Sequence, residues 1–334
     1  MSFIKELDEK LVGKSIKIVF PEGTEPRVLK GIELMGGKSF IKPILLGDEN
    51  EILEVAKKHQ IHLPDVTIVK PGDNELHDKY AERLYEEKVI PNAMVAKALL
   101  KSPNNLASAM VRFGDADTLI SGIVTATSEV IAANKLILEF KEGCKICSSV
   151  LVQDCPHFHG EDGHVVILSD PAINIEPTEE ELAEIAVETS KTAKFLLGRE
   201  PRVAMLSFST YGSAAHEKIT KVRNALEIVK TQMPDLLIDG ELQLDAAVSP
   251  SVAKTKLKNR DSAVAGRANT LIFPELNSAN IGCKIMNCFG DALSLGAIVQ
   301  GLKKPICDTS RGAKPEEICD IASIMATIVL NYTE

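Results

Sequence analysis

Ser15-Ile-Lys-Ile-Val-Phe20, closed by Pro21-Glu22-Gly23 and followed by helical periodicity from Arg27 to Met35, decides the fold. Beyond it, Lys42-Pro-Ile-Leu-Leu46 resumes an extended run. A short β-branched run, a turn, a helix and a second short run make a βαβ unit, whose strands lie parallel. The pattern then repeats. Glu51 to His59 reads as a helix and Val66-Thr-Ile-Val69 as a strand stopped by Pro71-Gly72. Leu76 to Lys101 is mostly helical with a break at Pro91. Asp117-Thr-Leu-Ile-Ser121 is a buried-type strand ending in Gly122, followed by the small-residue turn Thr125-Ala-Thr-Ser128 and a helix from Glu129 to about Phe140. The sequence therefore predicts an α/β protein with a largely parallel sheet covered by helices.

Near residue 145 the character changes. Cys147 to Val152 and His164 to Leu168 are strand-like and separated by the polar Gly160-Glu-Asp-Gly163, which predicts a hairpin that βαβ units do not need. Thr178-Glu-Glu-Glu181 carries the spacing of a capping box and opens a helix to about Leu197. Then come a strand at Val203 to Ser207, a polar loop from Phe208 to Gly212 and a helix around Lys218 to Met233. Strands follow at Leu236 to Gly240 and Thr270 to Phe273, with helices from about Asn280 and Asp291. A short strand at Pro305 to Cys307 and a helix from Pro315 to Asn331 complete the pattern. With no repeat and no low-complexity linker, the change near 145 predicts two closely packed lobes with more than one chain crossing.

Composition removes whole classes of function. Of 334 residues, 45% are hydrophobic and 25% charged, which excludes a disordered chain. Lys+Arg number 38 against 47 Asp+Glu, for a net charge of −9 that repels phosphate polymers. With no Trp, 4 Tyr and 10 Phe, stacking platforms for single-stranded nucleic acid are not expected either. No run approaches the roughly 20 apolar residues needed to cross a bilayer. The start, Met1 to Leu11, is amphipathic and charged and reads as a surface helix rather than a signal peptide, so a cytoplasmic protein is expected. Seven cysteines on so long a chain point to reduced thiols rather than a disulfide framework.

Ligands of open α/β sheets bind at the carboxyl ends of strands, where loops feed helix N-termini. Four segments meet that rule. Cys307-Asp-Thr-Ser-Arg-Gly312 offers an anion cradle, since the Arg fork binds two phosphate oxygens while hydroxyl and backbone N–H groups add donors. Six residues past Arg311, Glu317 sits in the first helical turn as either an acid–base carboxylate or a partner of the helix dipole. The others are the hydroxyl-rich Ser207-Phe-Ser-Thr-Tyr-Gly-Ser213, the segment Phe273 to Gly282, and Ser121 to Ser128. Together they point to a phosphorylated small molecule. Asp239, Glu241, Gln243 and Asp245 alternate and share a face if extended; a solvated strand face, with Asp245 capping the next helix, is expected over a metal or acid–base site. Cys144, Cys147, Cys155, His157 and His159 are zinc-ligand types, but no second paired motif follows, and no metal is expected. GxGxxG, GxxxxGK[ST] and GxSxG patterns are all missing, against dinucleotide enzymes, P-loop ATPases and α/β-hydrolases.

Five motifs combine in order: Val19-Phe-Pro-Glu-Gly23; Arg202-Val-Ala-Met-Leu-Ser-Phe-Ser-Thr210; Asp239-Gly-Glu241 with Asp245-Ala-Ala247; Asn280-Ile-Gly282 with Lys284; and Asp308-Thr-Ser-Arg-Gly312. Over nearly its whole length the chain resembles the phosphotransacetylases of the phosphate acetyl/butyryltransferase family, most specifically from Glu200 to Ser213. The resemblance implies reversible acetyl transfer between CoA and phosphate by direct attack of the CoA thiol in a ternary complex. It leaves open a butyryl-transferring relative and a non-catalytic paralogue that binds CoA or acetyl phosphate. It implies two α/β lobes like those of isocitrate and isopropylmalate dehydrogenases: 1–143 with 297–334, and 144–296, with the active site in a central cleft. It also implies a homodimer with no metal and no prosthetic group, CoA and acetyl-CoA being substrates.

The same resemblance implies that Arg311 binds phosphate, Ser310 donates to the developing oxyanion or departing group, and Glu317 is the base. The family usually has Asp there, one methylene shorter. Substrate would be lined by Ser207, Ser209, Thr210, Gly212 and Ser213, by Thr125 and Thr127, and by the turn carrying Asn280 and Gly282 with Lys284. Two departures stand out. The family's His-Ser-Thr and following Arg correspond here to Thr125-Ala-Thr127 and Ala132, and the Arg of its Leu-Arg-Lys context has Lys88 as the nearest cation. Loss of a guanidinium removes both charge and bidentate geometry, which implies that CoA or phosphate is held partly by other cations.

Overall fold

The computed structural model describes residues 3–332 apart from Asp73 and Asn259. Its strands are β1 (Ile16–Phe20), β2 (Ile41–Leu46), β3 (Thr67–Val69), β4 (Thr118–Ser121), β5 (Ser148–Asp154) and β6 (Val165–Ser169). They continue with β7 (Val203–Leu206), β8 (Ile238–Leu242), β9 (Thr270–Ile272), β10 (Leu293–Gln300) and β11 (Ile306–Asp308). The helices are α1 (Phe3–Leu11), α2 (Pro26–Met35), α3 (Glu49–Lys58), α4 (Glu75–Glu86), α5 (Ala93–Leu99), α6 (Pro103–Arg112) and α7 (Thr127–Leu138). After them come α8 (Glu179–Leu197), α9 (Glu217–Gln232), α10 (Leu244–Val248), α11 (Pro250–Leu257), α12 (Leu276–Gly290) and α13 (Pro315–Asn331). The chain divides into two units, Met1–Gly143 with Leu302–Glu334, and Cys144–Gly301. Among the described residues no helix is long and apolar enough to cross a membrane.

In the first unit the strand order is β3-β2-β1-β4-β11, every pair parallel. Of the five residues of β1 only Lys17 is exposed, as a strand buried on both faces requires. Helix α2 starts with Pro26 in its first turn behind the N-cap Glu25 and buries Val28, Leu29 and Ile32. It meets α13 at Gly31, where a Cβ would stand 3.0 Å from the Ile318 side chain, so a glycine is needed for that approach. β11, from residues near the end of the chain, pairs with β4 so that Asp308 stands opposite Ser121.

The second unit places β10 antiparallel to β5 and β5 antiparallel to β6; β6, β9, β7 and β8 then run parallel. The expected hairpin is present as β5 and β6. The capping box is also present: Thr178 N donates 2.8 Å to Glu181, and Glu181 N donates 3.2 Å to the Thr178 hydroxyl. Leu182, Ile185, Val222 and Leu226 pack with Val203 and Met205 on one side of the sheet, and Leu206, Leu242, Leu257 and Leu271 share the other cluster.

Four expectations are corrected. The segment after Asp291 is strand β10, not a helix, because Leu295 to Gln300 is buried throughout and shows no alternation. α12 begins at Leu276, where Glu275 accepts from the backbone of Asn277 and Ser278, so Asn280 to Gly282 is mid-helix rather than a turn. The strand expected at Leu236 to Gly240 lies two residues later, as β8. α6 is an additional helix, beyond those expected before Asp117.

Candidate functional site

In the first unit, neighbouring strands β1, β4 and β11 bring three loops to the same carboxyl edge of the sheet. Glu22, buried after β1, accepts hydrogen bonds from the N–H groups of Ile123 (2.9 Å), Val124 (2.9 Å) and Thr125 (2.8 Å) after β4. Three amide dipoles aimed at one carboxylate fix the second loop to the first. Arg27, at the start of α2, joins the third: it donates to the carbonyls of Arg311 (2.6 Å) and Ile123 (3.3 Å) while Nε pairs with Glu25 at 2.7 Å. Gly122 has φ +102°, and a Cβ there would lie 2.4 Å from Asp308 Oδ1 and 2.5 Å from the Thr309 carbonyl. Only glycine allows β4 and β11 to end so close together.

On this edge stand the residues expected to do chemistry. Ser310 and Arg311 are exposed, and Ser310 Oγ accepts from Gly312 N at 3.2 Å. Glu317 caps the start of α13, its Oε2 accepting from Lys314 N at 3.0 Å, which realises the helix-terminus role alongside any acid–base one. Thr125 Oγ1 accepts from Asn104, whose Oδ1 accepts from Ser121 Oγ at 2.7 Å; Thr127 is exposed in the first turn of α7 and hydrogen-bonds Asp308. Ala132 and Lys88 are both exposed.

In the second unit the loop after β7 is organised by Glu241, which is 1% exposed. It accepts from Ser209 Oγ (2.8 Å), Gly212 N (2.8 Å) and the Arg223 guanidinium (2.7 and 3.0 Å). Burial pushes its carboxyl up, but Arg223, Gly212 and Ser209 outweigh that and leave it at about 2. Thr210 Oγ1 exchanges hydrogen bonds with Gln243, and Thr210 N donates to Ser213 Oγ at 3.1 Å. Ser209, Thr210, Gly212 and Ser213 are thus spent on holding the loop. Ser207 instead lines a cavity of about 290 Å³ with Leu206, Phe208, Leu244, Phe273, Ser278 and the ammonium-bearing Lys218 and Lys221.

The solvated face expected for Asp239 to Asp245 is overturned. Glu241 is buried, Asp239 accepts from the hydroxyls of Tyr211 and Ser262, and Asp245 lies within α10 and pairs with Lys256 at 2.7 Å instead of capping that helix. On α12, Asn280 donates 3.0 Å to the Pro171 carbonyl and Gly282 packs against the Phe273 ring, while Lys284 is exposed. Both inward residues seat the helix. His157, from the cysteine–histidine stretch, lies 3.3 Å from Asp291. Glu22, Arg27, Arg223 and Asp308 were given no role by sequence reasoning; for Glu22 and Asp308 the signal present was an acid at a strand end, whereas Arg27 and Arg223 lie within helices α2 and α9 and carried none.

A model of phosphate acetyl/butaryl transferase matches residues 2–326. The chain belongs to this family. Among similar curated proteins, the phosphate acetyltransferase of Thermoanaerobacterium thermosaccharolyticum is 42% identical, over 98% of this chain and 99% of its own. That of Bacillus subtilis is 40% identical, over 97% and 98%. Of solved structures, a phosphotransacetylase from Streptococcus pyogenes superposes with a TM-score of 0.89 at 38% identity, covering 99% of this chain and 100% of that one. A branched-chain phosphotransacylase from Enterococcus faecalis V583 shares the fold, with a TM-score of 0.68 at 20% identity. Membership fixes the α/β class expected from the motifs, and with it acyl transfer on CoA-linked substrates as the family's business.

Proposed function

We propose that this family member is a cytoplasmic phosphate acetyltransferase, moving acetyl reversibly between CoA and phosphate by direct transfer in a ternary complex. The observation that carries the reading is the exposed Ser310-Arg311 pair at the end of β11, its backbone tied by Arg27 in a chain similar along its whole length to phosphate acetyltransferases. In the direction from acetyl phosphate, the CoA sulfur forms a bond to the acetyl carbon while the carbon–oxygen bond to phosphate breaks. The thiol, of reference pKa about 8.5, gives its proton to Glu317, which returns it to the departing phosphate. Arg311 grips phosphate oxygens with its planar fork. Ser310 Oγ, already accepting from Gly312, donates its own proton to the oxygen that gathers charge.

In the second unit, the loop Ser207 to Ser213 is the candidate for holding substrate. Ser207 and the apolar wall of its cavity suit the pantetheine arm of CoA, while Ser209 and Gly212 through Glu241, Thr210 through Gln243, and Ser213 through Thr210 N keep the loop in place. Thr125 and Thr127 position the phosphate end, Asn280 and Gly282 seat α12, and the exposed Lys218 and Lys284 offer charge to CoA phosphates in place of the guanidinium lacking at Ala132. No prosthetic group enters this chemistry. A homodimer belongs to the same reading: Ile281, Ile285 and Phe289, at helical spacing on α12, are 55%, 53% and 87% exposed. Ile285→Glu is expected to convert dimer to monomer in sedimentation velocity.

The test is release of free thiol from acetyl-CoA and phosphate, with butyryl-CoA as the competing donor. Arg311→Ala is expected to lower turnover by about 100-fold or more with an unchanged thermal melt, since contacts to a transferring group are large contributors. Calorimetric CoA binding without thiol release would replace the enzyme by a binding protein. Faster turnover of butyryl-CoA would replace the acetyl group by the longer chain.

A further inference from the structure

Glu22, Asp308 and Thr309 are 8%, 5% and 3% exposed at the strand ends of the first unit. Glu22 is cradled by three amides. Asp308 is not. The Thr127 hydroxyl reaches it from α7, yet its Oδ1 has no hydrogen-bond partner, and neither has the adjacent Thr309 Oγ1. The backbone at Gly122 closes over that oxygen. A buried carboxyl with an unpartnered oxygen beside a second buried carboxylate is disfavoured as an anion.

The groups that act on Asp308 can be named element by element. Glu22 opposes its charge from the loop after β1, and Arg311 on its own turn favours it. Thr127 from α7 and Gly122 after β4 bring no charge. Cys307, its neighbour on β11, is a thiol that burial keeps protonated. Burial, the largest influence, pushes Asp308 up, and the carboxyl is left at about 6. An anion docked on Arg311 cancels the cation that favours ionisation and adds a like charge, so both changes favour the neutral acid.

We propose that Asp308 takes up a proton when a dianion binds at Arg311, which makes the turn from Asp308 to Gly312 a proton-coupled anion site. The proton comes from solvent to the carboxylate, and no covalent bond changes. That the dianion is phosphate or an acyl phosphate rests on the proposed function; the coupling follows from the residues alone. Binding raises the proton affinity of Asp308, so uptake is greatest just above pH 6 and vanishes well above it. Apparent affinity strengthens as pH falls through that window, by up to tenfold per unit.

Sulfate, which does not titrate there, is the probe. Calorimetry in buffers of different ionisation enthalpy should count about half a proton or more taken up per sulfate bound at pH 6.5 and none at pH 9. Arg311→Gln should abolish sulfate binding, and Asp308→Asn should keep binding but lose both the uptake and its pH dependence. Sulfate bound without uptake at pH 6.5, no sulfate binding at all, or undiminished uptake in Asp308→Asn overturns the proposal. If Asp308→Asn does not fold, the proton count on the native protein still decides. Thiol release separates the two readings: transfer without uptake defeats the coupling alone, and uptake without transfer defeats the enzymatic reading alone.

Discussion

Arg27 donates a 2.6 Å hydrogen bond to the backbone carbonyl of Arg311, 284 residues further along the chain. Its second nitrogen reaches the carbonyl of Ile123, so one guanidinium braces the loops after β1, β4 and β11. Arg27→Lys keeps the charge but cannot span both carbonyls. Turnover is expected to fall about tenfold, the effect of losing roughly 1.5 kcal/mol of charge-assisted bonding. Thiol release measures it, and a thermal melt should move by only a few degrees.

Gly122→Ala tests how tightly β4 and β11 close. With φ +102° and a Cβ placed 2.4 Å from Asp308 Oδ1 and 2.5 Å from a backbone oxygen, the neighbours cannot yield cheaply. Loss of about 3 kcal/mol in urea unfolding is expected, with thiol release abolished. A stable, active variant would show that the two strand ends are further apart.

Glu317→Gln separates cap from base, because the Gln carbonyl at N3 can accept from the Lys314 N–H as the Glu carboxylate does. Turnover should drop about 100-fold while the melting temperature holds. A fall in melting temperature with little change in turnover would leave Glu317 as a helix cap only.

Arg223 and Glu241 set an acid-sensitive point of stability. The folded carboxyl titrates at about 2, below its ordinary 4.5, so its contribution is complete above pH 4.5 and lost as pH falls towards 2. Urea midpoints from pH 5 to 2 should decline accordingly. Arg223→Met should cost about 2 kcal/mol at pH 7, less than for a fully buried pair because the guanidinium is 44% exposed. Gly212 and Ser209 then remain to offset burial at Glu241, and the decline below pH 5 should flatten.

The βαβ pattern was legible wherever one strand met one helix, as at Ile16 to Phe20 and Pro26 to Met35. It failed at Leu293 to Gln300, where a continuous apolar run with a central glycine carries no period. It failed again at the start of α12, since Glu275 is not a residue type that announces an N-cap. The sequence singled out Ser310 and Arg311 as a hydroxyl and a cation after a strand, and both are exposed beyond β11. The hydroxyls of Ser209 and Ser213 were assigned to substrate, yet the first turns to Glu241 and the second accepts from Thr210. A loop's composition does not reveal the direction of its hydroxyls, and the burial of Glu22 and Asp308 emerges only from contacts far apart in sequence.

β11 pairs with β4, and α13 packs against α2, so the first unit closes only when its last segment arrives. During synthesis, the ribosome has made Glu22, Arg27 and the loop after β4 long before Ser310 and Arg311. A nascent chain interrupted before residue 306 carries an unpaired β4 edge, a mark of incompleteness open to chaperones and proteases. Residues 306–312 must therefore be synthesised before the turn after β11 can form, although the strand it closes against is nearly two hundred residues older.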